Sequence, residues 1–171
     1  GERYGFEFCT GEEQNILCDD KINTVFIATR HDSHAGYVLK ALRAGKHIFV
    51  EKPLCLDEIE LEEIRSLYES AAGAPPLLMV GYNRRFSPFA REARKVFGTG
   101  PLAMIYRVNA GAIPKDSWIQ DRETGGGRII GEVCHFVDYM HALCASPLTS
   151  VFASRVGRHS SGITEDQCSL S

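Results

Sequence analysis

The sequence predicts an α/β protein: a doubly wound parallel sheet in its first half, then a segment built on a sheet with one solvated face. The first half alternates short apolar runs with amphipathic helical patterns. The second half contains a stretch in which apolar residues occupy alternate positions. Uninterrupted apolar runs are typical of strands buried on both faces, as in parallel sheets, whereas alternation is typical of strands with one wet face.

Three apolar runs predict the strands of the parallel sheet, at residues 24–28, 48–50 and 77–80. Each run is short and is bounded by polar or turn-forming residues, as a buried strand requires. Two longer segments with apolar residues at helical spacing separate the runs. Strand, helix, strand, helix, strand is the order of a doubly wound α/β sheet.

The two intervening helices have recognisable starts. The first is predicted over residues 33–44, with Asp32 or Ser33 as its N-cap. A glycine follows it directly and suits the left-handed stop of a helix. The second is predicted over residues 57–72, where Asp57 is followed three residues later by a glutamate, which is the spacing of a capping box.

The second half of the chain has a different pattern. Its predicted elements are a short helix at 89–97, an alternating strand at 102–108, a loop at 111–127, a strong helix at 128–144, and strands at 149–156 and from Gln167 onward. The loop is rich in glycine, proline and aspartate, which are the usual residues of turns. No internal repeat or low-complexity tract interrupts this order.

Composition limits the kinds of protein this sequence can be. The 171 residues (18.9 kDa) are 44% hydrophobic and 24% charged, with a net charge of −3, as in an ordinary globular protein. This weakly acidic balance argues against a nucleic-acid or anionic-membrane partner. No apolar run approaches the roughly 20 residues of a membrane span. The six cysteines include no C-x-x-C pair, so we expect reduced thiols, no metal site and a cytoplasmic location.

The helix predicted over residues 128–144 carries a polar face. At about 100° per residue, with Arg128 at zero, Glu132 falls near +40° and His135 near −20°, opposite the apolar residues. This arrangement can be a solvated face with chance i,i+3 and i,i+4 pairs. It can equally be an active-site face, because a histidine donates and accepts protons near neutral pH and a neighbouring carboxylate can orient it.

Polar side chains also follow two of the predicted strands. Residues 29–34, which end at His34, come after the first strand, and Glu51, Lys52 and Pro53 come after the second. The carboxyl edge of a parallel sheet is where α/β proteins bind ligands. Pro53 restricts the turn and so presents Lys52 at that edge, where it could hold a substrate hydroxyl. The alternative for Lys52 is an ordinary exposed lysine. The alternative for His34 is a polar residue at the start of a helix.

These residues resemble the Gfo/Idh/MocA oxidoreductase family. The string from Ala41 to Pro53 has the form A-L-x-A-G-K-H-x-x-x-E-K-P, which is long and specific. Ile27-Ala28-Thr29 precedes it, with His34 five residues later. The blocks Gly81–Phe86 and Gly125–Asp138 follow in the family order. The resemblance covers nearly the whole chain.

The resemblance implies two domains and a cofactor. Residues 1–99 would be the C-terminal part of a Rossmann NAD(P)-binding domain, with its parallel sheet. Residues 100–171 would begin an α/β domain for substrate binding and oligomerisation, with a mostly antiparallel sheet. Members bind NAD or NADP and transfer a hydride between the nicotinamide and a carbon of a sugar, nucleotide sugar or cyclitol. The expected partners are therefore a small sugar-like substrate and, in the full-length protein, further copies of the same chain.

The resemblance also implies the roles of individual residues. Lys52 corresponds to the lysine of the E-K-P motif and His135 to the helix histidine that is often the general acid/base. The resemblance assigns no role to Glu132, which is predicted as a catalytic residue from the helix face because its carboxylate lies on the same face as His135. The positions expected to line the cofactor are Ala28, Thr29, His34, Glu51, Lys52, Pro53, Asn83 and Arg84. Trp118 is expected at the mouth of the site.

Two departures from the family pattern bear on function. Members usually begin with a strand and G-x-G-x-x-G/A, and this motif is not among the 171 residues. We therefore expect a fragment of a two-domain enzyme, inactive by itself because the backbone cradle for the pyrophosphate is missing. Many members also carry aspartate four residues before the histidine, where this chain has Gly131. Either Glu132 replaces that aspartate, or the reaction does not need it.

Three functions stay open at this point. Trp118, together with residues 107–111 and 126–135, resembles the Gfo/Idh/MocA half of bi-domain oxidoreductases associated with cell-surface polysaccharide, which implies a sugar or nucleotide-sugar substrate. A non-catalytic sugar- or nucleotide-binding module is the first alternative, since a fold does not determine function. An NAD-dependent glycoside hydrolase, which returns the hydride, is the second. Net production of NADH would separate the dehydrogenase from both.

Overall fold

The structure is a computed structural model that describes residues 2–71, 73–98, 100–155 and 168–171. The strands are β1 (Thr24–Ile27), β2 (His47–Val50), β3 (Leu78–Val80), β4 (Ala153–Arg155) and β5 (Cys168–Leu170). The helices are α1 (Gln14–Leu17), α2 (His31–Arg43), α3 (Glu58–Glu69), α4 (Pro88–Phe97) and α5 (Cys134–Cys144). Shorter turns are the 3-10 turns Glu2–Tyr4, Asn83–Phe86 and Trp118–Gln120 and the π-helical turn Ile129–Val133. The predicted ends at Ala72, Val156 and Gln167 lie outside the described residues.

The parallel sheet confirms the predicted α/β class. Its strand order is β1-β2-β3, with Phe26 opposite Phe49 and Phe49 opposite Met79. The three strands begin and end within one residue of the predicted runs. Helix α2 connects β1 to β2, and α3 connects β2 to β3.

Both connecting helices pack on the same face of the sheet. The core they enclose consists of Ile27, Ala35, Val38, Leu39, Ala41, Leu42, Ile48, Val50 and Ile64. The opposite face is open: Phe26 is 73% exposed, and Met79 and Leu77 are also exposed. The prediction that the strands are buried on both faces is therefore wrong for the described residues. Two right-handed crossovers that advance in one direction place both helices on one side of a sheet.

One of the two predicted N-caps is present in the structure. Asp57 caps α3 as predicted, since its Oδ1 accepts the Glu60 N–H at 2.8 Å. The prediction for α2 is wrong: the helix begins at His31, the N-cap position is Arg30, and no side chain caps it. Asp32 and Ser33 lie in its first turn. The Ser33 hydroxyl donates to the Arg30 carbonyl at 2.8 Å, so it bonds back to the residue before the helix and does not cap a helical N–H.

The strand predicted at residues 102–108 is absent from the described structure. Its alternation is only partly expressed: Leu102 and Met104 are half-buried and Ile105 is 99% exposed. Tyr106 is 43% exposed, although its ring contacts Phe136 and Tyr139 with centroids 5.5 and 5.7 Å away. The segment lies against α5 and pairs with no strand of the described residues. A few side-chain contacts can therefore hold an extended segment against a helix without a strand ladder.

Two further predictions of the second half are only partly right. The predicted 128–144 helix is present without a break, but residues Ile129–Val133 within it are π-helical, and α5 follows them directly. A π-helical turn bonds residue i to i+5, so the 100° arithmetic does not carry across it. The predicted strands at 149–156 and from 167 form the short antiparallel pair β4–β5. Within the described chain, no helix is long and apolar enough to cross a membrane.

Candidate active site

The carboxyl ends of β1, β2 and β3 meet at one edge of the sheet, and the predicted site residues follow them. The Glu51 N–H donates to the Ile27 carbonyl at 2.9 Å, and the Gly81 N–H donates to the Val50 carbonyl at 2.7 Å. The ladder thus continues one residue past each strand. A Cβ atom on Gly81 would lie 3.1 Å from Oε2 of Glu51. Glycine therefore lets the end of β3 approach the turn after β2.

Lys52 joins this edge to the second half of the chain. It precedes Pro53, and the peptide bond between the two residues is cis. Its Nζ donates to the carbonyl oxygen of Gly131 at 2.7 Å. Gly131 lies in the π-helical turn directly before α5, so one hydrogen bond connects the turn after β2 to the start of the helix that carries His135.

His34 lies beneath the two turns, fully buried. Its Nδ1 is 2.7 Å from the Pro53 carbonyl oxygen, and its Nε2 is 3.1 Å from the Thr29 carbonyl oxygen. The imidazole therefore links the turn after β1 to the turn after β2 from inside the protein. Ala28 and Thr29 themselves are exposed at the edge, as are Glu51 and Asn83, at the ends of the three strands.

His135 lies in the first turn of α5, and its Nδ1 is buried without a hydrogen-bond partner among the described residues. Burial lowers the pKa of His135 below its ordinary value of 6.5, and the positive charges of Lys52 and Arg84 lower that pKa further. Glu51 and Asp138 act in the opposite direction but more weakly. The imidazole is therefore neutral at pH 7 and can accept a proton.

Glu132 is paired with Arg128, as the i,i+4 spacing predicts. The Arg128 Nε donates to Oε2 of Glu132 at 2.9 Å, and Arg128 also donates to the carbonyl of Gly111. No hydrogen bond among the described residues joins Glu132 to His135. The π-helical turn between them explains this, since it rotates the two side chains away from the relation that α-helical arithmetic gives.

The block Gly81–Phe86 attaches α5 to the edge of the sheet. The Arg85 Nε donates to Oδ2 of Asp138 at 2.9 Å, and a second guanidinium nitrogen donates to the other oxygen. The Asp138 side chain is only 8% exposed. The Arg84 guanidinium lies 4.6 Å from the centroid of the Phe136 ring. These contacts set the position of the helix, and hence of His135, relative to the strand ends.

Three residues near the site were not singled out by the sequence analysis. The Tyr82 ring lies edge-on to His135 with centroids 6.2 Å apart, and burial raises the pKa of its hydroxyl to about 12. Burial also raises the pKa of the Cys134 thiol. His31 is buried with its Nδ1 2.8 Å from the Gly125 carbonyl oxygen. The only available signal for His31 was its place in the polar run after β1.

Trp118 contacts residues at the start of α2, and its expected place at the mouth of the site stays a prediction. Its ring packs edge-on against His31 with centroids 4.8 Å apart, and the Arg30 guanidinium lies 5.8 Å from the ring centroid. Among the described residues, no group of three or more metal-ligating side chains is present.

Comparison with known proteins defines the class of this chain as a Rossmann-type oxidoreductase. Residues 1–82 match the GFO_IDH_MocA sequence profile, described as "Oxidoreductase family, NAD-binding Rossmann fold". The solved structure of a levoglucosan dehydrogenase in complex with NADH and levoglucosan superposes with a TM-score of 0.74 at 28% identity. That similarity covers 92% of this chain and 44% of the other.

Two curated relatives agree with this class. A levoglucosan dehydrogenase from Pseudarthrobacter phenanthrenivorans is 31% identical over 145 residues, covering 80% of this chain and 36% of that protein. An inositol 2-dehydrogenase from Rhizobium meliloti is 36% identical over 105 residues, covering 61% and 30% respectively. The chain belongs to the Gfo/Idh/MocA family of oxidoreductases. It spans less than half the length of each of these relatives.

Proposed function

We propose that the full-length protein is an NAD(P)-dependent dehydrogenase that transfers a hydride between nicotinamide and an alcohol carbon of a sugar, nucleotide sugar or cyclitol. One observation carries the proposal. A neutral imidazole with a buried, unpartnered nitrogen, that of His135, lies near the ammonium of Lys52 at the carboxyl edge of the parallel sheet. The named relatives, a levoglucosan dehydrogenase and an inositol 2-dehydrogenase, support a polyol-like substrate.

The residues at this edge fit the nicotinamide end of a dinucleotide. The Nδ1 of His135 is buried without a hydrogen-bond partner among the described residues, and orphaned polar atoms of this kind often mark catalytic sites or the place of an ordered water. Strand ends of this kind are where Rossmann sheets bind dinucleotides. When bound, the dinucleotide supplies the acceptor for the hydride. The residues proposed to hold it are Ala28, Thr29, Glu51, Lys52, Pro53, Asn83 and Arg84, with His34 supporting the turns.

His135 is the proposed general base for alcohol oxidation. Because burial and neighbouring cations lower its pKa, its imidazole is unprotonated at neutral pH and can take the proton of the substrate hydroxyl at a ring nitrogen. The same group returns that proton in the reverse reaction. The edge-on ring of Tyr82 limits how the imidazole can rotate.

Lys52 is the proposed electrostatic partner of the reacting oxygen. An ammonium has three N–H donors, and the Gly131 carbonyl takes one of them. The remaining donors can hold the substrate hydroxyl and stabilise negative charge as it develops on the oxygen. Because the Gly131 contact orients the ammonium beforehand, little reorganisation is needed during the reaction.

Glu132 is proposed to serve the same site through its ion pair with Arg128. This pair connects the π-helical turn to the loop carbonyl of Gly111. In this proposal, residues 1–99 belong to the cofactor domain and residues 100–171 begin the substrate domain.

Isotope transfer in the full-length protein tests the function. The protein is incubated with NAD or NADP and polyols that carry deuterium on the carbinol carbon, such as levoglucosan and myo-inositol, and the dinucleotide is analysed by mass spectrometry. The proposal expects deuterium in the reduced dinucleotide and its net accumulation. Cleaved glycoside without net reduced dinucleotide would identify the hydrolase instead. Tight polyol binding with no isotope transfer would identify a binding module.

A further inference from the structure

His31 is a buried histidine that the proposed reaction does not use. It is the first residue of α2 and only 9% exposed. Its Nδ1 is 2.8 Å from the Gly125 carbonyl oxygen, and its ring packs edge-on against Trp118 at 4.8 Å. These two contacts fix the orientation of the imidazole. Its Cε1 edge therefore faces the π-helical turn.

That neighbour is Gly131. A Cβ atom on residue 131 would lie 3.1 Å from Cε1 and 3.5 Å from Nδ1 of His31. The first separation is closer than side chains normally allow, so the imidazole occupies the space that a side chain at 131 would enter. Gly131 is not among the glycines with positive φ. A side chain at this position would therefore press on the ring of His31, which would have to give by a few tenths of an ångström, and glycine avoids this contact.

The same glycine is the hydrogen-bond acceptor of Lys52. Its carbonyl oxygen is 2.7 Å from Nζ, so any displacement of residue 131 also displaces the ammonium. His31 faces the Cα side of residue 131, and Lys52 bonds to its carbonyl. Two independent contacts, one steric and one polar, therefore meet at one residue of the π-helical turn.

We propose that His31 is a positioning residue of this site: its imidazole fills the space in front of position 131 and so sets where the π-helical turn, and with it Lys52, stands. The steric pairing of His31 with Gly131 is independent of any ligand. The effect on turnover rests on the dehydrogenase function proposed above. The pairing also agrees with the departure at position 131, because the Cβ atom of an aspartate there would crowd the imidazole.

The lowered pKa of His31 agrees with this arrangement. Burial is the main cause, the charges of Lys52 and His34 add to it, and the Gly125 carbonyl and Asp32 oppose it. A neutral ring donates from Nδ1 to the Gly125 carbonyl and avoids placing a second positive charge beside Lys52.

A double-mutant cycle on the full-length protein tests the steric pairing. G131A, H31N and H31N/G131A are compared with the wild type by urea unfolding, without cofactor or substrate. Asparagine is shorter than histidine but keeps an N–H donor for the Gly125 carbonyl. We expect G131A to lower the unfolding midpoint in the wild type, and to leave it unchanged or raise it in the H31N background, since alanine favours a helix over glycine. G36A is the matched control, because a Cβ at Gly36 meets nothing within 4 Å. It should have the same small effect in both backgrounds.

Equal effects of G131A in both backgrounds, or no effect in the wild type, would overturn the pairing. The kinetic arm then tests the site. We expect G131A to lower kcat/KM at least tenfold, because small misplacements at a catalytic group are costly. H31N/G131A should recover most of that loss, which a general loss of stability would not produce. If the unfolding midpoints show the expected coupling but H31N/G131A does not recover kcat/KM, the positioning role is wrong. If the wild-type protein has no dehydrogenase activity, the proposed function is wrong and the steric pairing still stands.

Discussion

The ammonium of Lys52 lies 2.7 Å from the carbonyl oxygen of Gly131, so the turn after β2 is hydrogen-bonded to the π-helical turn that leads into α5. These residues are far apart in the sequence, and no other hydrogen bond of the described site connects the lysine turn to the histidine helix so directly. π-Helical turns inside helices occur frequently at functional sites. The contact joins Lys52 to the turn that leads directly into the helix carrying His135, the other proposed catalytic group.

Replacing Lys52 by methionine should remove the donor to the substrate oxygen and the bond to Gly131. Under the proposed function, kcat/KM for polyol oxidation by the full-length protein should fall by about a hundredfold or more, as for the loss of an electrostatic donor at a reacting oxygen. Steady-state kinetics measure it. Lys95→Met is the matched control, because Lys95 is exposed on α4 and pairs only with Glu92. Near-normal turnover in Lys52→Met would contradict the role.

Asp138→Asn should destabilise the fold through Arg85. The carboxylate is almost fully buried and accepts two hydrogen bonds from the guanidinium. Breaking a fully buried pair costs about 3–5 kcal/mol. Because the Arg85 side chain is partly exposed, we expect the free energy of unfolding to fall by about 1–3 kcal/mol. Glu62→Gln, which breaks the exposed pair with Arg65, should lower the free energy of unfolding much less, because water screens that pair. If both variants lower the free energy of unfolding equally, the Arg85–Asp138 pair does not stabilise the packing of α5.

Asp57→Ala should remove the cap of α3. The lost hydrogen bond to the Glu60 N–H is expected to cost about 0.5–2 kcal/mol of the free energy of unfolding. Asp32→Ala is the comparison, since Asp32 lies in the first turn of α2 but caps nothing. Urea unfolding should place Asp32→Ala closer to the wild type. The reverse order would contradict the cap assignment.

Stability should fall as the pH is lowered from about 7.5 toward 5.5. Burial lowers the pKa of both His31 and His135 below the ordinary 6.5, so the unfolded chain binds protons that the folded protein does not. The free energy of unfolding therefore decreases as the pH falls through about 6.5, until the folded histidines also protonate. Urea unfolding midpoints at several pH values measure this, with the exposed His141→Asn as control. A double variant His31→Asn, His135→Asn should show a flatter slope, and an unchanged slope would contradict the assignment.

Local signals of the sequence predicted local structure well. The apolar runs located β1, β2 and β3, and the Asp57 spacing located the start of α3, because these features depend on neighbouring residues. The E-K-P motif after a buried strand pointed to Lys52 for the same reason. The exposure of Phe26 was not predictable from its own strand, since it depends on which face both connecting helices cover.

Features that depend on distant contacts were missed. The segment 102–108 has the alternation of a strand, but the ring contacts of Tyr106 with Phe136 and Tyr139 on α5 hold it in place without a ladder. The π-helical turn at 129–133 changed the register that had placed Glu132 beside His135. His31 was overlooked because a histidine in a polar run at a helix start has the same local pattern whether it is solvated or buried. Its partners Gly125 and Trp118 are distant in sequence.

The pH dependence of turnover tests the central claim most directly. For wild-type full-length protein, we expect kcat/KM for alcohol oxidation to decline on the acid side with an apparent pKa below 6.5, as His135 becomes protonated. His135→Asn should be slower by about a hundredfold or more at pH 7.5 and should lack this acid limb. His141→Asn, on the exposed side of the same helix, should keep the wild-type profile. An acid limb that persists in His135→Asn, or turnover close to that of the wild type, would contradict the assignment of His135 as the base.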